Sequence, residues 1–375
     1  MKKIGILIDA DYIGGAETNF RFILPGLYEH GYESMFVTHG SDNIGKYFKD
    51  KKIPVKVNGN LKKYHSLSHN GMFSIKNSIK TLVALISNYF LVRKMINRES
   101  FDVVISNSMM SHFLLSILHA FDNKSNTRYV MHLHDIVDRS KVFGLYGLVL
   151  DQIVSHCDKC IVCSNAVADR INVKTNKVVT IYNPISLNHE DTLMSLRREK
   201  TDRIRIGFFS RYTPWKGHDE LLKILDTIHC LNVEFVTYGN NTDKSCFDRF
   251  QEKFENMAKR KGINVQVNGF VSNVYQKMIS CDVVLLLSTS PDPAPLALFE
   301  SSSLGIPILA YDTGGVRELF EKFNLIGEVV EQGDYLAISN KICSFQRKKY
   351  NAVANLESLS PSKFVESYMF NILNG

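Results

Sequence analysis

Residues 282–320, DVVLLLSTSPDPAPLALFESSSLGIPILAYDTGGVRELF, contain two short apolar runs, DVVLLLS and IPILAY, each closed by a turn and followed by a helical pattern. Strand, turn and helix repeated in that order argue for a parallel sheet covered by helices on both faces. Asp292 and Glu300 are eight residues apart, separated by a Pro-containing turn and an apolar helix start, so both can face the space beyond the strand end. Gly314 and Gly315 open the next helix, which carries Arg317 and Glu318, in a turn that tolerates a phosphate.

Outward from this block the same alternation continues. The strand candidates RIRIGFFS, VEFVTYG and NVQVNGF precede it and LIGEVV follows it. The first half has its own series: KIGILI, a helix from about Glu17 to His30, SMFVTH, IPVKV, a long helix around Ile79 to Ile96, DVVIS, a helix near Phe113, RYVMHLH, KCIVCS and KVVTIYN. A chain of 375 residues exceeds what one core usually organises. The stretch 187–203, LNHEDTLMSLRREKTDR, is polar and lacks a turn-bounded apolar run, so it reads as a connection. The expected fold is therefore α/β, with two doubly wound, Rossmann-like domains at 1–186 and 187–360, and with helix 361–375 packing back on the first. Open sheets of this kind bind ligands at the carboxyl ends of their strands, and two facing sheets make one interdomain cleft.

Composition narrows the function classes. With 45% hydrophobic and 22% charged residues the chain is globular rather than disordered. A formal net charge of +7, spread over many segments, suits anionic partners. No zinc finger, helix-turn-helix or aromatic RNA-binding signature accompanies it, so no nucleic acid is expected. The N-terminal apolar run breaks at Asp9 and Asp11 and reads as a first strand, not a signal peptide. No apolar run is long enough to span a membrane, and a cytoplasmic protein is expected. Seven cysteines without a framework imply reduced thiols. Cys157, Cys160 and Cys163 read as buried core thiols rather than a metal site, because Cys160 and Cys163 point to opposite faces of a strand.

The strand RIGFFS runs into Arg211, Tyr212, Thr213, Pro214, Trp215, Lys216, Gly217 and His218, where a helix starts. Two cations five apart in a strand-to-helix loop suit a diphosphate, aided by the partial positive charge of the helix end. On these residues alone a solvated loop explains the charges equally well. The acidic pair downstream decides between the two, since a carboxylate accepts two hydrogen bonds and so grips vicinal sugar hydroxyls.

Taken together, IGGAE near the start, SRYTPWKGHDELL, VNGFVSNVYQKMISCDVVLLLS and the block from Asp292 to Glu318 resemble family 4 of the retaining glycosyltransferases, which have the GT-B fold. The match covers nearly the whole chain. The resemblance implies that Arg211 and Lys216 neutralise the diphosphate of a nucleotide sugar donor, that Glu300 binds the ribose, and that Gly14 and Gly15 approach the donor phosphates. It also implies that Phe270 lines the nucleobase pocket and that the backbone after the first acid, at Leu296 and Ala297, touches the donor. The sequence departs from the family at that acid: Asp292 stands for the usual Glu, followed by Pro293, Ala294 and Pro295 instead of Phe-Gly. Asp is one methylene shorter and Pro295 has no N–H.

In RYVMHLHDIVDRS, His132 and His134 lie two apart on a strand and so on one face, with His134 the family's match near the transferred sugar. Asn107 and Ser108 end the strand DVVIS and are further acceptor-side or cleft contacts. The catalytic set is Arg211, Lys216, His134 and Asp292. Asp9-Ala-Asp11 has the spacing of a metal-binding acid pair but reads as loop chemistry, so no metal or other cofactor is expected. Lys62, Lys63, Lys76, Lys80, Arg93, Lys94 and Arg98 flank TLVALISNYFLV. A basic amphipathic helix of this sort can rest on anionic lipid, yet a domain helix with a solvated face is the favoured reading. The expected activity is retaining transfer of a sugar to a glycan or lipid-linked acceptor in cell-surface polysaccharide synthesis, with possible peripheral contact at the inner face of a membrane. A nucleotide-sugar epimerase and a non-catalytic sugar-nucleotide-binding subunit stay open as alternatives.

Overall fold

The structure, a computed structural model, describes residues 2–9, 14–39, 41–50, 52–53, 55–64, 68–69, 72–73, 75–122, 126–140, 145–173, 176–186, 202–240, 244–346 and 354–373. It divides into two compact units, Met1–Pro184 with Pro361–Gly375, and Ile185–Ser360. The connecting stretch 187–203 falls almost wholly outside the described residues, as does Asp11.

The first unit is built on β1 (Lys2–Leu7), β2 (Tyr32–Val37), β3 (Lys56–Asn58), β6 (Val103–Ser106), β7 (Arg128–Leu133), β8 (Lys159–Val162) and β9 (Val178–Thr180), with a short antiparallel pair, β4 (Ser68–His69) and β5 (Met72–Phe73), apart from the main sheet. All neighbours in the main sheet are parallel, in the order β3-β2-β1-β6-β7-β8-β9. The interleaved helices are α1 (Gly15–Thr18), α2 (Phe20–Glu29), α3 (Ser41–Asp50), α4 (Ile75–Glu99), α5 (Met109–Ala120), α6 (Leu145–Ser155) and α7 (Asn165–Ala168).

The second unit repeats the plan with β10 (Ile204–Phe209), β11 (Val233–Tyr238), β12 (Asn264–Asn268), β13 (Val283–Leu286), β14 (Ile308–Tyr311) and β15 (Gly327–Val330). Its order is β12-β11-β10-β13-β14-β15, again all parallel. Its helices are α8 (His218–Thr227), α9 (Lys244–Lys261), α10 (Val274–Met278), α11 (Leu296–Ser303), α12 (Val316–Phe323) and α13 (Tyr335–Cys343). Two doubly wound Rossmann-like units are thus present. The order reverses between β1 and β6 and between β10 and β13, which opens a crevice at the carboxyl ends of those strands.

Local chemistry fixes the registers. Asp102 Oδ2 accepts the amide of Lys3 at 2.7 Å, and Asp282 Oδ2 accepts that of Arg205 at 2.7 Å. In each sheet an acid at the foot of one central strand thereby satisfies the amide of the second residue of its neighbour. The apolar runs then fill the cores, with Ile6, Phe20, Phe36, Phe48 and Ile105 in one and Phe208, Leu221, Phe235, Phe254 and Leu285 in the other.

The last helix, α14 (Pro361–Leu373), belongs to the first unit and packs against α2. Phe364, Tyr368, Met369 and Ile372 join the first core. Gly26 of α2 makes room for this contact, since a β-carbon there would lie 2.3 Å from Val365 Cγ1.

Cys157, Cys160 and Cys163 are buried free thiols in the first core. The expectation of fully reduced cysteines fails elsewhere, because Cys230 and Cys343 are joined in a disulfide with Cα atoms 5.5 Å apart. Their pairing follows from the packing of α8 against α13, separated by 113 residues in sequence, which no local spacing reveals.

Candidate active site

In the second unit the loop after β10 is held from below by Tyr212. Its side chain is fully buried, its hydroxyl donates to the Asn268 carbonyl at 2.8 Å and pairs with Thr237 Oγ1 at 2.8 Å. With Tyr212 pointing inward, a single 3-10 turn, Pro214–Lys216, follows and leads into α8 through Gly217. Gly217 has φ 88°, and a β-carbon on it would stand 1.9 Å from the Leu287 carbonyl oxygen. Only glycine fits both the left-handed backbone and the close approach to the end of β13.

The two loops at the switch point are tied together. Thr289 donates its amide, at 2.8 Å, and its hydroxyl, at 3.2 Å, to the Trp215 carbonyl. Lys216 Nζ lies 2.5 Å from Asp292 Oδ2 and 4.1 Å from the centre of the Trp215 ring. Ser288 Oγ donates to the same carboxylate oxygen at 3.0 Å. Both charged side chains are mostly enclosed, at 15% and 6% exposure, so the ammonium is fixed in position rather than swinging in solvent. Gly314, with φ 58°, lets α12 start against the Asp292 backbone, where Gly315 N donates to the Asp292 carbonyl at 2.9 Å.

Arg211 is half-buried in the same loop, and its guanidinium has no hydrogen bond or ion pair among the described residues. A cation left so beside the crevice is available to an anion. Helix α11 begins at Leu296 with Pro295 as its cap and no side-chain cap bond, so the amides of Leu296 and Ala297 have no acceptor within the helix. Glu300 is half-buried one turn further along the same face as Leu296. Arg211, Lys216, Asp292, Leu296, Ala297 and Glu300 thus stand on two loops and one helix start that flank the reversal of strand order. Phe270 lies beyond β12, at the edge of the sheet, and is 71% exposed.

The first unit gathers its candidates at its own switch point. Gly14 donates its amide to Glu17 Oε2 at 2.9 Å, which fixes the glycine turn at the start of α1. Asp9 N donates to Ser108 Oγ at 2.9 Å, joining the loops after β1 and β6. The Asp9 carboxylate meets His39 Nδ1 at 3.0 Å.

His134 is half-buried beyond β7, with Nε2 3.0 Å from Asn107 Oδ1. Burial pushes its imidazole down to about 4, so the ring is neutral at pH 7, Nε2–H donates to Asn107, and Nδ1 is left as an acceptor. The expected pairing of His132 and His134 on one open face is corrected here. His132 is 0% exposed, its ring 4.0 Å from that of His134 and 5.2 Å from that of Tyr368, and has no face for a substrate. Two-residue spacing on a strand gives a shared side, but α14 covers that side at His132. Asn107 is likewise buried, its carbonyl turned to His134, while Ser108 pairs with Ser111 at 2.8 Å.

Glu17 and Ser288 close two of the quoted motifs, IGGAE and the block ending in LLLS, but the sequence does not set them apart from their neighbours as participants. Ser288 has only its place at the end of the run LLLS as a signal, and Glu17 only its position three residues into the glycine turn.

Two Rossmann-like units, the second with a cationic strand-to-helix turn at its switch point, have the architecture of the GT-B fold. The comparisons with known proteins agree. The model described as Glycosyltransferase Family 4 matches residues 13–189, and that described as Glycosyl transferases group 1 matches residues 191–357. The chain belongs to the group 1 glycosyltransferases. It is similar to a 41.2 kDa protein in the cps region of Klebsiella pneumoniae, at 22% identity over 67% of this chain and 75% of that one. It is also 21% identical to a glycogen synthase of Lachnospira eligens over 69% of this chain, though the match spans only 52% of that enzyme. Among solved structures, Anabaena HepE in complex with UDP and glucose superimposes with a TM-score of 0.77 at 19% identity, covering 100% of both chains.

Proposed function

We propose that the chain transfers a sugar, with retention of anomeric configuration, from a nucleotide diphosphate sugar to a glycan or lipid-linked acceptor in cell-surface polysaccharide synthesis. The observation that carries this is Arg211, an uncommitted guanidinium in the loop that also fixes Lys216, at the switch point of the second unit. The HepE complex with UDP and glucose supports a donor of this class.

In this reading negative charge grows on the leaving diphosphate while the sugar takes on oxocarbenium character. Arg211, Lys216 and the amides of Leu296 and Ala297 stabilise that charge, and Glu300 holds the ribose. Phe270 offers a ring to the base, and the Gly14 and Gly15 turn meets the donor phosphates. Asp292 has a different part from the one its motif implies: it orients the Lys216 ammonium through their shared contact. His134, aided by Asn107, accepts a hydrogen bond from the sugar through Nδ1. In this reading no covalent adduct forms: the acceptor hydroxyl attacks on the face from which the phosphate leaves and passes its proton to it. The cations do the work often given to a metal, so transfer proceeds in EDTA.

The test is to incubate the chain with a panel of nucleotide diphosphate sugars, with and without candidate acceptors, and to analyse the products by mass spectrometry and NMR. Acceptor-dependent release of nucleoside diphosphate with a retained anomeric centre is expected. An altered donor without acceptor, or binding without any turnover, would sink the proposal.

A further inference from the structure

The long helix α4 does not have the solvated polar face expected of it. Thr81, Ala84, Leu85, Asn88, Val92 and Ile96 point into the first unit. On the outward side Ile75, Ile79, Leu82, Val83, Ile86 and Phe90 are each more than half exposed, from 51% at Ile86 to 70% at Ile75. Their spacing of 4, 3, 1, 3 and 4 residues is that of one helical stripe, so four turns of the helix show solvent an apolar row. A contiguous apolar strip of this length marks a surface with a partner.

The strip does not end with the helix. Tyr89 packs edge-on against Phe90 and Phe121, and Arg93 donates to the Tyr89 hydroxyl and to the Phe121 carbonyl, at 2.9 and 3.0 Å. Phe121, 63% exposed, borders an apolar groove of about 250 Å3 between α5 and α6, which Val149 also lines.

The charges on the helix have one sign. Lys76 and Lys80 flank the apolar row on one side, and Arg93, Lys94 and Arg98 follow it along the chain, against a single acid, Glu99, which is paired with Lys3. Asn88 hydrogen-bonds the backbone N–H and carbonyl of Lys62, at 2.7 and 2.9 Å, which brings the exposed Lys62 to the same helix. A second copy of this chain docked by two-fold symmetry would set these cations against one another. An anionic lipid surface accepts both features, the apolar side chains entering the acyl boundary and the lysines meeting the headgroups. Among the described residues no helix is long and apolar enough to cross a membrane, so α4 is suited to lie along one.

We infer that the outward face of α4 is a docking surface for an anionic lipid bilayer. The full chain is to be sedimented with vesicles of phosphatidylcholine alone and of phosphatidylcholine containing phosphatidylglycerol, with light scattering of the free chain alongside. Two exposed-residue variants separate the contributions: Ile79→Ser with Ile86→Ser and Phe90→Ser, and Lys76→Gln with Lys80→Gln and Lys94→Gln. The wild-type chain is expected to pellet with the anionic vesicles only. Each variant should reduce the bound fraction by about tenfold or more, while its melting temperature and its stabilisation by donor nucleotide stay unchanged. Equal sedimentation with both vesicle types, or variants that bind as the wild type does, would overturn the inference. So would a dimer in solution that the serine variant turns into a monomer, since the stripe would then serve self-association.

Discussion

Lys216 and Arg211 differ in what surrounds them, and their variants should differ accordingly. Lys216→Ala removes a positioned ammonium and leaves the Asp292 carboxylate, 6% exposed, with Ser288 as its remaining side-chain partner. Loss of one donor to a developing anion costs about two to three orders of magnitude in kcat, and the unpaired acid adds a stability loss of about 3 kcal/mol. Arg211→Ala should show a similar loss of kcat without the loss of stability, as no partner among the described residues is abandoned. Steady-state kinetics and denaturant melts on both variants check this contrast; equal stability losses would contradict it. Histidines give a pH signature of their own. Burial holds His218 at about 4 and His112 at about 3 in the folded chain, below the ordinary 6.5. Between those values the unfolded chain binds protons that the folded one does not, so stability is full above about pH 6.5 and falls as the pH drops toward 4. The His218 ring is packed among Phe208, Tyr212 and Phe250, so His218→Phe keeps the packing and should flatten part of that fall in melting temperature. An unchanged slope between pH 7 and 4.5 would count against it.

The β10–α8 turn and α14 show at the scale of elements what a sequence can and cannot say. The turn is legible because its residues are: an apolar run, two cations, and a glycine just before a helical pattern. Its backbone demand makes Gly217→Ala destabilising by about 1–3 kcal/mol, and the displaced Lys216 should weaken nucleotide binding, as calorimetry on the variant would reveal. All the strand runs named from the sequence pair as parallel neighbours, because β-branched and aromatic residues bounded by turns have few other uses. The environment of His132 was not legible, since the covering Tyr368 is 236 residues away. The same holds for the disulfide. Outward exposure on α4 was hidden for a different reason: periodicity finds two stripes on that helix and does not say which one meets the core. Helix α14 buries four large apolar side chains in the first unit, each contributing about 1.5–3 kcal/mol as an upper bound. A chain ending before Pro361 should therefore lose its first cooperative melting transition, and retention of that transition would show the helix to be dispensable.

At the scale of the molecule, two sheets of one plan carry different equipment. The first unit has a glycine turn, a neutral histidine and buried amide and hydroxyl groups at its switch point; the second has the cations. By this division the proposed anion binding falls to the second, since the net charge of +7 is too dispersed to assign it. The most direct test is calorimetric titration of the full chain with a nucleoside diphosphate and with the same nucleoside lacking phosphate, for the wild type and for Arg211→Ala. The account predicts that the diphosphate binds at least about tenfold more tightly than the bare nucleoside, and that Arg211→Ala removes most of that advantage. Equal affinity for the two ligands, or a diphosphate preference that survives the loss of Arg211, would contradict it.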